Sequence, residues 1–406
     1  MGTAILLFYF LFPAIILFMS TRFHMVNRIG IVVICYAGGL MLGNMGIVPV
    51  VPPEGVTPDP GDELFLSLQD AIRGASILLG IPLVLFSENI TRWFRIAKYT
   101  FISLLLGVVS VVVLVIAGYF VFRNAFSGTD VELWKVCGMM IGVYTGGTPN
   151  LAGIAMSLDV DNDVYILTHT VELVIGAVIL LFLITGAKPF FGLFLKPYHS
   201  DNESDKEDID MTDFESYHGF FHRIAIPGIL KSFGVGLVIL GIGFGMNILF
   251  GNLFPDNEEA GGTAAVLTVT TLGILASLIP QVNRMKHSFQ LGMYFIYLFC
   301  VIVASQANLS SLFADQNMDL LLNMFLFIGM VILGSLVLHA LLSRIFGINV
   351  DDYIITSTAL SNSPPFVPVV AAALRNKEVV IPGMIIGVIG YAIGNYLGVA
   401  IALLLK

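Results

Sequence analysis

Apolar runs of about 20 residues, the length an α-helix needs to cross a bilayer, recur along all 406 residues. Short polar or basic stretches separate them. The pattern predicts spans near 3–20, 28–47, 65–86, 99–122, 163–186, 225–250, 263–281, 289–312, 320–343 and 379–405. Two further segments, 133–158 and 350–374, are apolar but interrupted by turn-forming residues. The first interruption is Thr145-Gly146-Gly147-Thr148-Pro149-Asn150, and the second is Ser361-Asn362-Ser363-Pro364-Pro365. A helix broken inside hydrocarbon leaves peptide groups without partners, which is tolerated where the break lines a cavity or coordinates something. Paired breaks in two halves of a chain point to the central site of a secondary transporter.

Loop charge decides whether the two interrupted segments cross. Loops 48–63, 251–262 and 313–319 carry no lysine or arginine. The alternate loops carry Arg22 and Arg28, Arg92, Arg95 and Lys98, Lys188 and Lys196, Arg284 and Lys286, Arg344, and Arg375 and Lys377. Basic loops face the cytoplasm. The alternation stays in phase only if 133–158 enters and leaves on the outside and 350–374 on the inside. Arg123 and Lys135 are exceptions that can snorkel to an interface. The expected architecture is an all-α polytopic membrane protein of ten spans and two re-entrant hairpins, with both termini outside. Each half has four spans, a hairpin and a fifth span. An odd number of crossings inverts the second half, giving two inverted repeats, 1–186 and 223–406, joined by an acidic cytoplasmic linker, 187–222.

Composition agrees. Hydrophobic residues make up 57% and charged ones 12%, and mean hydropathy is +0.92. The location expected is a cell membrane, inner or plasma, with the lipid bilayer as surroundings. Gly2 to Met19 lacks a basic leading region and a small-residue cleavage site, and reads as a first span rather than a removable signal. The net charge of −9 comes mostly from loop acids, and no basic surface for nucleic acid is present. Cys35, Cys137 and Cys300 lie far apart in apolar segments, which suits buried small side chains rather than a disulfide framework.

The breaks carry the candidate chemistry. Gly146 and Gly147 permit unusual backbone angles and Pro149 removes a donor. Thr145, Thr148 and Asn150 offer neutral oxygens to a hard cation, and a half-helix N-terminus offers partial positive charge to a carboxylate. Ser361, Asn362 and Ser363 repeat that chemistry in the second half. A sodium ion at Thr148, Asn150 and Asn362 is one expected arrangement. His169 and Glu172, three apart on the span after the first hairpin, are intramembrane ionisable groups that can pair or carry a coupling proton. Asn395 occupies the comparable helix of the second half, where glycines also permit close helix contact. Gln306 and Asn308, with Ser305, form a polar knot in span 289–312; Gln69, Asp70, Arg73 and Ser76 lie in its counterpart, 65–86. Arg73 either neutralises an anionic substrate or sits at the outer interface beside Asp70, and the second placement is the one expected.

Thr145-Gly146-Gly147-Thr148-Pro149-Asn150 resembles the T-G-G-[ST]-x-N signature of the YjcL-type family of integral-membrane proteins of unknown function. The stretch Val380 to Gly398 is similar to that family's last helix. Where the family's second hairpin reads close to N-I-G-G-P, this chain has Asn362-Ser363-Pro364-Pro365. The resemblance extends, distantly, to the cation–proton antiporter and anion-transporter superfamily, which includes sodium–glutamate and bile-acid–sodium symporters. It implies inverted repeats, a core moving against a dimerising scaffold, hence a homodimer, and sodium or proton coupling.

The expected function is a secondary active transporter: a sodium-coupled symporter of a small organic anion, working by alternating access. Cation–proton antiport through His169 or Glu172 is the alternative within transport. An intramembrane enzyme is the alternative from another class, but no Ser/Lys pair, paired intramembrane aspartates or H-E-x-x-H stands intact in the chain. No cofactor is expected beyond a sodium ion or proton as coupling ion. The partners expected are a small-molecule or ion substrate.

Overall fold

A computed structural model describes residues 2–23, 26, 31–49, 60–86, 98–198, 217, 220, 225–255, 259–285, 287–306, 318–362, 366–376 and 378–406. Within them the chain forms sixteen helices. The first half contributes α1 (Gly2–Ser20), α2 (Ile31–Gly43), α3 (Pro60–Phe86), α4 (Lys98–Phe122), α5 (Leu133–Gly146), α6 (Thr148–Ser157), α7 (Asn162–Thr185) and α8 (Ala187–Phe191). The second contributes α9 (Ile226–Leu253), α10 (Glu259–Ser277), α11 (Pro280–Asn283), α12 (Ser288–Ser305), α13 (Met318–Phe346), α14 (Val350–Ser361), α15 (Val367–Leu374) and α16 (Val380–Leu405). Nine of these are long and apolar enough to cross a bilayer: α1, α3, α4, α7, α9, α10, α12, α13 and α16. They coincide with nine of the ten expected spans. The tenth, 28–47, is described as the 13-residue helix α2. This is an all-α polytopic membrane protein.

The helices gather into two compact units. The first comprises Met1–Glu88, Met156–Leu167 and Ser216–Leu321; the second comprises Asn89–Ala155, Thr168–Glu215 and Leu322–Lys406. Each therefore draws matching stretches from both halves of the sequence. Compact units and sequence halves divide the chain differently.

In the first unit α12 is buried along most of its length and packs against α2 and α3. A Cβ at Gly292 would fall 2.6 Å from the Val84 amide nitrogen and 2.9 Å from the Gly80 carbonyl oxygen, so α3 and α12 cross at backbone contact. The polar knot predicted on these two helices is one network. Gln69 donates to the Tyr9 hydroxyl (2.7 Å), which meets Ser305 Oγ at 2.7 Å, and Gln306 donates to Gln69 (3.1 Å). Arg73 lies beside Asp70, at 3.4 Å, and also donates to Gln306. Helix α9 buries only a stripe of Ser232, Gly236, Ile239 and Gly243. Its other faces expose Leu230, Leu237, Val238 and Phe244, as a helix does whose solvent is lipid.

In the second unit α5 packs on α16 and α4, and α14 packs on α16, α4, α5 and α15. Lys135, one of the basic exceptions, is neutralised by Glu132 at 2.6 Å. Partial burial pushes the Glu132 carboxyl up, but hydrogen bonding and charge from Lys135 hold it below its ordinary value. All three cysteines are buried thiols, as expected.

Candidate functional site

Helix α5 ends because Gly147 adopts φ +72° and ψ −164°, a conformation open to glycine and strained for other residues. Its amide closes α5 on the Val143 carbonyl (2.8 Å), and its own carbonyl accepts from Asn150 (3.1 Å) and Leu151 (3.2 Å) to open α6. One residue thus separates the two helices. Pro149 sits in the first turn of α6, where a missing amide proton costs nothing. The chain doubles back here: a Cβ at Gly142 would lie 3.2 Å from the Asn150 carbonyl and against the Ile154 side chain. Thr145 turns its hydroxyl onto the Ile141 carbonyl (2.7 Å).

The second break follows the same logic with different residues. Asn349 caps α14 by accepting from the Asp352 amide (2.9 Å). Asn362 ends it, donating its amide to the Thr358 carbonyl at 2.9 Å. Ser361 donates to the Ser357 carbonyl (2.7 Å) and meets Asn362 Oδ1 at 2.9 Å. The two ends of the α14–α15 pair are brought together at their base. Asp351 accepts there from Lys188 (2.9 Å) and from Asn376 just beyond α15 (2.9 Å), while Lys188 also holds the Leu374 carbonyl (3.0 Å). Asp351 is 1% exposed, so its charge needs these partners.

The two breaks are tied crosswise. Asn150 Nδ2 donates to the Gly390 carbonyl on α16, at 3.1 Å. Asn362 Nδ2 donates to the Gly176 carbonyl on α7, at 3.0 Å. Each asparagine of a break thus reaches the helix that follows the break in the other half. The glycines of α16 make the first approach possible. A Cβ at Gly390 would overlap the Thr145 carbonyl, and one at Gly394 would overlap the Asn150 side chain.

Of the residues predicted from sequence, the second unit holds Thr145, Gly146, Gly147, Thr148, Asn150, His169, Glu172, Ser361, Asn362 and Asn395. Gln306 belongs to the first unit and its own polar network. Ser363 and Asn308 lie outside the described residues. His169 and Asn395 are fully buried and Glu172 is 6% exposed. Glu172 makes no hydrogen bond or ion pair with any described residue, His169 included. Its Oε1 would lie 3.3 Å from a Cβ on Gly176, next to the Asn362 amide group.

Sequence reading missed His339. This residue is 2% exposed in the middle of α13, with Nδ1 at 3.1 Å from Ser357 Oγ and Nε2 at 3.2 Å from Ser103 Oγ. The rule that singled out His169, that an ionisable group inside a span is a functional suspect, applies to it equally. Tyr144 was missed as well; it lies in the last turn of α5, one residue before the first break, and is 1% exposed.

Residues 7–406 match the family described as "Protein of unknown function (DUF819)". The chain belongs to that family. The uncharacterized membrane protein YjcL of Bacillus subtilis (strain 168) is 24% identical over 385 residues, which is 94% of this chain and 91% of YjcL. This DUF819 chain and YjcL therefore correspond over nearly their full lengths.

Proposed function

We propose that this DUF819 protein is a secondary active transporter, a sodium-coupled symporter of a small organic anion that works by alternating access. The observation carrying this reading is the reciprocal tether of the two broken helices, Asn150 to Gly390 and Asn362 to Gly176. A packing defect would need no such symmetry. Each break is held by its own asparagine to the helix that follows the other break, and this supports half-helix ends and hydroxyl oxygens acting together within one compact unit. Half-helix N-termini favour a carboxylate, and neutral oxygens favour a hard cation.

In this reading the two segments are re-entrant hairpins of inverted repeats. Loop charge supports Lys188, Arg344 and Arg375 facing the cytoplasm with both termini outside, and the membrane of this reading is a plasma or inner membrane. The distant likeness to anion and cation carriers supports the same class, homodimerisation included. Cation–proton antiport is the second reading, favoured by the buried Glu172 carboxyl that lacks an ion pair among the described residues.

Purified protein in proteoliposomes tests the choice. An inward sodium gradient should drive concentrative uptake of one member of a labelled organic-acid panel. Sodium efflux driven by a proton gradient, with no organic acid moved, would transfer the assignment to antiport. Cleavage of a lipid or peptide without transport would remove both readings in favour of an intramembrane enzyme.

A further inference from the structure

Between α4, α5, α13 and α14 the second unit encloses a cavity of about 20 Å³. A space of that size holds one water-sized species. Its polar lining comes from Tyr144, Ser335, His339, Ser357 and Ser361, so the last turn of α5 and the second break both contribute. The Tyr144 hydroxyl is buried and has no hydrogen-bond partner among the described residues. A buried hydroxyl left so is costly, and an occupant of the cavity would relieve that cost.

The lining selects the sign of that occupant. Ser335 gives its proton to the Ile332 carbonyl (2.9 Å) and Ser361 gives its own to the Ser357 carbonyl (2.7 Å). Both oxygens are left with lone pairs to offer. Both nitrogens of His339 are engaged by serines. Glu172, without an ion pair among the described residues, has its Oε1 3.3 Å from the Cβ position of Gly176, and Asn362 Nδ2 lies 3.8 Å from the same point, so the carboxyl sits near the end of α14 that supplies Ser361. Oxygen lone pairs beside a carboxylate repel an anion and attract a hard cation. A bare cation in this position would also favour the ionised form of the Glu172 carboxyl, which burial alone disfavours.

We propose that this cavity seats a dehydrated sodium ion, held by Tyr144, Ser335, Ser357 and Ser361 and balanced by Glu172. The ion joins the end of α5 to the end of α14, so its arrival fixes the two breaks relative to each other. The assignment moves the cation from the asparagines of the breaks to the hydroxyls behind them. It rests on the carrier reading for what the ion does, and on the cavity for where it sits.

Thermal unfolding of the full chain in detergent tests it, with sodium, potassium and choline chlorides at equal ionic strength. Sodium should raise the midpoint saturably, and potassium and choline should not. Tyr144→Phe and Ser361→Ala should weaken the sodium midpoint at least tenfold, with unfolding in choline close to that of the parent. If Ser361→Ala does not fold, Tyr144→Phe decides alone, since it removes one oxygen from an unchanged ring. An equal shift from every salt, or none, means a single water and overturns the proposal. So does a sodium shift that Tyr144→Phe leaves intact. Sodium stabilisation lost in Tyr144→Phe, with no solute moved in proteoliposomes, keeps the seat and removes the carrier. Sodium-driven uptake with an unaltered shift in Tyr144→Phe removes the seat and keeps the carrier.

Discussion

Asn150 and Asn362 stood out in the sequence because each lies in a helix break and offers a neutral oxygen to a hard cation. What each amide does with its protons was not legible there. A side chain's partner is set by packing: the glycines of α16 marked that helix for close contact without saying with what, and nothing marked Gly176. The structure shows each asparagine spending a donor on a backbone carbonyl in the opposite half. Such a bond inside a membrane protein contributes about 1 kcal/mol. Asn150→Ala and Asn362→Ala should therefore lower thermal unfolding by only a few degrees. Uptake should fall at least a hundredfold, because the orientation of each break is lost. Parent-level uptake by both variants would strip the asparagines of their role. His339 escaped sequence reading for a different reason: α13 looks like a uniform span, and its serine partners Ser103 and Ser357 lie on two other helices.

At the scale of elements, the breaks were readable and their seating was not. Gly146-Gly147 and the prolines after Asn362 announce an end to helix whatever surrounds them. Which helix would receive the first break depends on where backbones can approach, and the glycines of α16 answer that. Gly390, Gly394 and Gly398 recur every four residues, so they lie along one face. They were noted as a means of close contact, and the structure uses them so, against Thr145, Asn150 and Ile154. A methyl at Gly390 would meet the Thr145 carbonyl, a backbone atom that cannot turn aside. Gly390→Ala should cost about 3 kcal/mol, at the upper end for overpacking, and lower yield and unfolding temperature sharply. Gly241 on α9 has nothing within 4 Å of its Cβ position. Gly241→Ala in the same preparation should behave like the parent. Equal behaviour of the two variants would mean that α16 does not press on the first break.

For the whole molecule, hydrophobic runs found the membrane-crossing helices because length and apolarity are local properties. The two compact units were hidden, since each joins segments far apart in sequence and no run of residues records a distant contact. Side of the membrane is a third kind of information, carried by loop charge. Helix α5 has 14 residues and α6 has 10, about 21 Å and 15 Å at 1.5 Å per residue. Neither alone reaches across the ~30 Å hydrocarbon core, although laid end to end they would. In the proposed topology the reversal at Gly147 returns the segment to the face it left. Cys35, Cys137 and Cys300 are buried, so the parent chain should resist a membrane-impermeant maleimide. Glu132→Cys and Asp161→Cys flank the first break at exposed positions, and intact cells should label both from outside. Arg344→Cys and Glu378→Cys flank the second, and should label only after the membrane is opened. Labelling of Glu132→Cys and Asp161→Cys from opposite sides would make 133–158 a full crossing. Every basic loop after it would then change face, and the two halves would no longer be inverted copies.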